Sequence, residues 1–174
     1  MTDLPTQLIR RYCKDGDQAA FRAFYRAQAD RVWRFLVARG CDPDTAYDLL
    51  SEAFLRFFQT VCKDPRAPVA LLYRIALNLR IDSYRRARAS PVSFDSELAE
   101  AAPEPVAEAL DEHGYVRQLM HTLHADEQNL LLMRYWIGLT HKEIADILGL
   151  PEGTVRRQAA AAVRKLRERW EEHP

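Results

Sequence analysis

The sequence predicts an all-α protein built from two small helical domains, an N-terminal helical bundle and a C-terminal helix-turn-helix domain, joined by an acidic flexible linker. Three observations carry this expectation. Apolar residues recur at steps of three and four over long stretches, and no segment alternates at period two. Residues 140–155 hold the capping, turn and periodicity signals of two helices meeting at a glycine. Between them, residues 91–114 carry seven acidic and no basic residues together with Pro91, Pro103 and Pro105. The boundaries read from these shifts are 1–90, 91–114 and 115–174.

Within the first block a short helix is expected around Leu8, Ile9 and Tyr12. Asp17 then caps a run carrying Phe21, Phe24, Tyr25, Val32, Phe35 and Leu36 that ends at Gly40. Asp42 with Pro43 opens the next, which carries Leu49, Leu50, Ala53, Phe54, Phe57 and Phe58. A third long helix follows Pro68, with Leu72, Ile75, Ala76 and Leu79 on one side and Arg74, Asn78, Arg85 and Arg86 on another.

After the linker, helices are expected near Val106 to Leu123 and from about Asp126 to Ile137, the latter ended by Gly138. Thr140 and Glu143 have the spacing of a capping box, in which the hydroxyl accepts from a backbone N–H and the glutamate reaches back to the cap. Ile144, Ala145 and Leu148 point inward, and Gly149 supplies the left-handed stop. The last helix starts close to Pro151. Its core face is Val155, Ala159, Val163, Leu166 and Trp170, which leaves Arg156, Arg157, Ala160 and Arg164 outward.

Charge sharpens this division. Lys and Arg against Asp and Glu number 16 to 10 over residues 1–90, and 9 to 8 over 115–174, so the formal net charge of +0 conceals a basic first block and an acidic tether. The cations are mostly arginine, which binds phosphate bidentately and stacks on bases. With 48% hydrophobic residues the chain can build packed cores. It has no apolar run of membrane-spanning length and no signal-peptide core, so a cytoplasmic protein without membrane insertion is expected. Cys13, Cys41 and Cys62 lie far apart and are read as small, partly buried apolar residues, neither a disulfide framework nor a zinc site.

The outward arginine face of the helix-turn-helix suits the major groove. A lone helix-turn-helix grips little DNA, and the helix from Arg74 to Arg88 offers a second contact region in the other domain. Tyr73, Asn78 and Tyr84 among arginines also suit single-stranded bases, which stack on rings and hydrogen-bond to amides; for Tyr73, core packing is the competing reading.

Taken together, the residues resemble the extracytoplasmic-function group of bacterial sigma-70 RNA polymerase sigma factors, over nearly the whole chain. The resemblance lies in Ala20-Phe21-Arg22, Arg31-Val32, Phe35-Leu36, Ala46, Asp48-Leu49 and Glu52-Ala53-Phe54-Leu55-Arg56. It continues in Leu72-Tyr73-Arg74-Ile75-Ala76 with Asn78, Asp82 and Arg85-Arg86, then in Glu143-Ile144-Ala145, Leu148-Gly149 and Gly153-Thr154-Val155. It implies a non-enzymatic initiation factor that needs no cofactor or metal. Asp48, Leu49, Glu52, Phe54 and Leu55 would dock on the β′ clamp helices of core RNA polymerase, which also offers its β subunit.

Lys63, Arg66, Tyr73, Arg74, Asn78, Asp82, Arg85 and Arg86 would then capture the melted minus-ten element of promoter DNA. Thr140, Lys142, Thr154, Arg156, Arg157, Gln158, Ala160 and Arg164 would meet the minus-thirty-five element. The tether would enter the RNA path, and an anti-sigma factor would hold the chain inactive. Where the family commonly has arginine, the last helix has Gln158 and Ala161, which implies a less demanding upstream element.

Three rival readings compete. A helix-turn-helix regulator not acting as a sigma subunit explains the C-terminal motif but not a basic first domain. An adaptor that has lost DNA binding would explain the bare run Ala159 to Ala162. An enzyme would need a site. His121, His124 and Glu127 stand at helical steps of three, yet no fourth ligand or general base lies nearby in sequence, and no nucleophile has a paired base.

Overall fold

The computed structural model describes residues 3–89 and 114–172, and every regular element among them is helical. The described residues group into two compact units, one within Met1–Pro105 and the other within Val106–Pro174.

Unit one begins with α1 (Leu4–Asp15), where Asp3 accepts a hydrogen bond from the Thr6 N–H at 2.9 Å and Gly16 ends the helix in the left-handed region. Helix α2 (Gln18–Ala38) starts at Asp17, whose carboxylate takes the Ala20 N–H at 3.1 Å and pairs with Arg11 at 2.6 Å. These donors hold the Asp17 carboxyl below its ordinary range, the cap itself being the largest cause. Helix α3 (Pro43–Thr60) is capped by Asp42, which accepts from both the N–H and the hydroxyl of Thr45. A 3-10 turn (Val61–Lys63) leads through a loop to α4 (Pro68–Ala89).

Helices α1, α2 and α3 all pack on α4. Their shared core holds Ile9, Phe24, Val32, Phe35, Leu36, Phe57, Leu72, Tyr73 and Leu79. Phe24 and Phe57 stack with centroids 5.1 Å apart, and Phe35 meets Tyr73 edge-on at 5.4 Å. Tyr25 and Phe58, expected inside, stay partly exposed; Phe58 joins Tyr12 and Phe21 in an aromatic trio at the α1 corner.

Unit two comprises α5 (Gly114–His121), α6 (Ala125–Leu131) continued by a π-helical turn (Leu132–Ile137), α7 (His141–Leu148) and α8 (Glu152–Glu172). The acidic tether and residues 106–113 of the helix expected from Val106 lie outside the described residues. Leu123, Leu131 and Ala162 form one part of this core, bordered by Met120, Val163 and Leu166. The inward stripe of α8 is therefore Val155, Ala159 and Ala162. Trp170, expected on that stripe, is 52% exposed. No helix among the described residues is long and apolar enough to cross a membrane.

The cysteines depart most from expectation. Cys13 and Cys62 are joined in a disulfide, with Cα atoms 5.3 Å apart across a sequence separation of 49. Linear spacing could not reveal this, since only the docking of α1 beside the turn after α3 brings the two residues together. Cys41 is the free cysteine, half-buried, and burial is the largest cause of its raised thiol pKa.

A crosslink closing a loop of this length restricts the unfolded chain and stabilises by about 2–4 kcal/mol. Urea unfolding followed by circular dichroism should therefore show a lower midpoint for Cys13→Ser or on adding reductant, and the variant should no longer respond to reductant. A midpoint indifferent to both treatments would contradict the crosslink.

Candidate nucleic-acid and partner interfaces

Three exposed surfaces can be built from the residues upward. The first lies on α4. Burial of Leu72, Tyr73, Ala76, Leu77 and Leu79 leaves Arg74, Asn78, Asp82, Arg85 and Arg86 exposed, and the i, i+4 and i, i+3 steps align them in one stripe. No described acid outside this stripe makes an ion pair with Arg74, Arg85 or Arg86. Tyr84 is exposed nearby with the Arg88 guanidinium 5.3 Å above its ring.

Tyr73 corrects the sequence reading. It is 0% exposed, packed against Phe35, and its buried hydroxyl has no hydrogen-bond partner among the described residues. Burial pushes its phenol pKa up. It cannot stack on a base in this conformation, and the core reading holds instead.

The loop before α4 carries Lys63 and Arg66, both exposed. Arg66 is clamped by Asp64 through two bonds of 2.7 Å, and this guanidinium is the main reason the Asp64 carboxyl falls to about 2. Asp64 and Arg66 thus present a near-neutral pair, and Lys63 makes no ion pair among the described residues.

The second surface is on α3. Asp48 and Leu55 face outward, Leu55 being 61% exposed, with Tyr47 exposed about two turns before Leu55. Glu52 is half-exposed and holds Arg56 at 2.9 Å. Leu49 and Phe54, grouped with them by sequence, are only 8% and 6% exposed and belong to the core. The reason is that α3 packs on both α2 and α4, so its buried face is wider than one stripe. Tyr47 and Tyr25 are exposed aromatics beside this surface; Tyr47 packs on Trp33 at 5.2 Å and Tyr25 on Phe54 at 4.6 Å.

The third surface is the helix-turn-helix. Thr140 Oγ1 accepts from the Glu143 N–H and the Glu143 carboxylate from the Thr140 N–H, each at 3.1 Å, completing the expected capping box. Gly149 sits at φ 66°, its N–H bonded to the Ala145 carbonyl, and a non-glycine residue there would be strained. The Pro151 carbonyl accepts the Val155 N–H, so Pro151 precedes the first turn of α8.

Arg156, Arg157, Gln158, Ala160 and Arg164 are exposed, as is Lys142 on α7; Thr154 is half-buried. Arg156 is held by Glu152 at 2.8 Å and Arg157 donates to Thr154 Oγ1 at 3.2 Å, so both guanidinium groups are drawn toward the start of α8. The Glu127 carboxylate, a candidate metal ligand, is occupied otherwise: it takes the His124 N–H at 3.0 Å and the Lys165 ammonium, which is the main cause of its lowered pKa.

Comparison with known proteins places these surfaces in context. Residues 24–90 match the model of sigma-70 region 2, and residues 115–168 that of sigma-70 region 4. The chain is 31% identical over 159 residues to the ECF RNA polymerase sigma factor SigL of Mycobacterium tuberculosis, covering 87% of this chain and 89% of that protein. To the RNA polymerase sigma-E factor of Streptomyces coelicolor it is 26% identical, covering 88% and 87%. In fold it is similar to CnrH, solved in complex with the cytosolic domain of CnrY, with a TM-score of 0.67 at 21% identity over 99% of this chain and 100% of that one. The sigma factor RpoE of Bartonella quintana, solved with the anti-sigma factor NepR, gives 0.62 at 16% over 88% and 98%.

The division of α3 yields a clear expectation. Phe54→Ala should lose about 3–5 kcal/mol of folding stability, while Leu55→Ala should change it by no more than about 0.5 kcal/mol. Equal losses in chemical denaturation would contradict the assignment of Leu55 to the surface.

Proposed function

The chain belongs to the extracytoplasmic-function group of sigma-70 RNA polymerase sigma factors, which direct RNA polymerase to promoters, and we propose that it divides the work among the three surfaces just described. The α4 stripe captures the melted minus-ten element. Asn78 hydrogen-bonds an unstacked base, while Arg74, Arg85 and Arg86 neutralise the strand's phosphates. Lys63 adds a cation at the entrance, and Asp82, exposed on the same stripe, can accept from a base amino group. Tyr73 supports this surface from beneath by fixing the rotation of α4.

The exposed α3 residues Asp48, Glu52 and Leu55 dock on the β′ clamp helices, with the β subunit as a further contact of the bound chain. The start of α8 enters the major groove at the minus-thirty-five element. There Arg156 and Arg157 provide the strong donors, Gln158 can pair with an adenine edge, and the Ala160 methyl suits a thymine methyl. Thr140, Lys142, Thr154 and Arg164 flank these as backbone contacts. The reading places the protein in the cytoplasm, where polymerase works. It also includes an inhibitor of the anti-sigma class, since two structures similar in fold are complexes with partner proteins, one named as an anti-sigma factor.

The observation that carries the proposal is the alignment of Arg74, Asn78, Asp82 and Arg85 along one exposed stripe of a helix whose opposite side is buried from Leu72 to Leu79. A regulator without sigma activity has no use for such a stripe, and both sigma regions are matched in chain order. The test is initiation by core polymerase with this protein alone, on promoter fragments enriched with it from cells. Start-site-specific transcripts are expected, and their absence on every enriched fragment would overturn the reading.

Arg156→Ala and Arg157→Ala should each weaken promoter binding. Removing one phosphate interaction should make the slope of log affinity against log salt shallower by about 0.9. A salt titration with unchanged affinity and slope would remove α8 from the interface.

A further inference from the structure

The Cys13–Cys62 pair has no part in the surfaces proposed above, yet it sits at the base of one of them. Cys62 lies in the 3-10 turn Val61–Lys63, immediately before Lys63, and Cys13 lies near the end of α1. The bond therefore ties the loop that carries Lys63, Asp64 and Arg66 to a separate helix. Its surroundings are uneven: Cys62 is an exposed residue and Cys13 a half-buried one, which favours attack from the Cys62 side. The third cysteine stays apart, since Cys41 is half-buried beside Arg39 and Arg80 at the far end of α2.

The fold around the pair does not rest on it alone. Ile9 is fully buried on α1, Val61 is fully buried in the turn, and Tyr12 packs on Phe21 and Phe58. Breaking the bond thus leaves α1 docked and the turn anchored at one end, while the residues beyond Val61 gain freedom. In a reducing compartment a bond with an exposed cysteine is one that opens and closes.

We propose that Cys13 and Cys62 form a redox-active pair whose disulfide orders the Lys63–Arg66 loop for DNA capture and whose reduction loosens it, making initiation sensitive to thiol redox state. The inference rests on the cytoplasmic promoter-binding role given above.

Reduction is a thiol-disulfide exchange with a dithiol of the thioredoxin class. One thiolate attacks the Cys62 sulfur, and Cys13 leaves as a thiolate that takes up a proton. The second thiolate of the dithiol then displaces Cys62, and the reductant departs as its disulfide. Oxidation by a peroxide runs the other way. One cysteine thiolate displaces hydroxide to become a sulfenic acid, and the second condenses with it. In total two thiols and one hydrogen peroxide give the disulfide and two waters. A loop ordered in advance loses less freedom on binding, so the oxidised form is the more active one.

The test uses the full chain carrying Cys41→Ser, equilibrated in glutathione buffers from oxidising to reducing. Maleimide mass tagging counts free thiols, hydrogen exchange follows residues 60–67, and core polymerase reports initiation on one promoter. Two thiols should appear together, exchange in the loop should quicken, and initiation should fall by about three- to tenfold. Cys13→Ser and Cys62→Ser, each made separately, should sit at the reduced level in every buffer. Two free thiols throughout, or initiation that stays flat while the thiols titrate, would overturn the proposal. If no form initiates, the promoter reading fails; loop exchange that still tracks the thiols would then support the clamp, and exchange that does not would overturn it.

Discussion

The buried contact between α4 and the three helices that precede it is the constraint on which the first unit depends. Leu72, Tyr73, Ala76 and Leu79 enter a core already shaped by the Phe24–Phe57 stack and by Phe35. Each large side chain removed from water there contributes roughly 1.5–3 kcal/mol. That burial does more than stabilise. It sets the rotation of α4 about its own axis, and the rotation decides that Arg74, Asn78 and Asp82 emerge together. A turn of α4 by one residue would bury a guanidinium and expose a leucine, so the cationic surface and the core are two sides of one choice.

Local signals were readable where the chemistry is local. Asp17 and Asp42 begin helices because a carboxylate satisfies orphan N–H groups, and the Thr140–Glu143 box and Gly149 stop do the same for the helix-turn-helix. Neither the order of partners nor the width of a buried face is local. Periodicity put Leu49 and Phe54 on an apolar run and the resemblance put them on a docking surface, while Tyr73 had two readings; only the packing of each helix against several neighbours decides for the core. The Cys13–Cys62 bond required knowing that α1 returns to the turn after α3. The π-helical turn Leu132–Ile137 has no mark in the sequence that distinguishes it from ordinary helix.

The two cationic surfaces differ in how their charges are held. On α8, Arg156 and Arg157 are restrained by Glu152 and Thr154, which limits their side-chain freedom before the proposed contact with DNA. Duplex DNA presents a fixed groove, and restrained donors suit it. On α4 no ion pair among the described residues holds Arg74, Arg85 or Arg86, which suits the pliable melted strand proposed for that surface. The near-neutral Asp64–Arg66 pair lies between them and Lys63, which makes no ion pair among the described residues. These exposed pairs add little to stability, and their effect lies in aiming side chains.

The most direct test of strand capture by α4 is cross-linking from that helix in a transcription-competent complex with core polymerase and promoter DNA. A photoreactive amino acid placed at position 78 should form adducts with a strand of the minus-ten element, and the same group at the buried position 79 should form none. Efficient initiation with no DNA adduct from position 78 would contradict the claim that the exposed stripe of α4 is the strand-capturing surface.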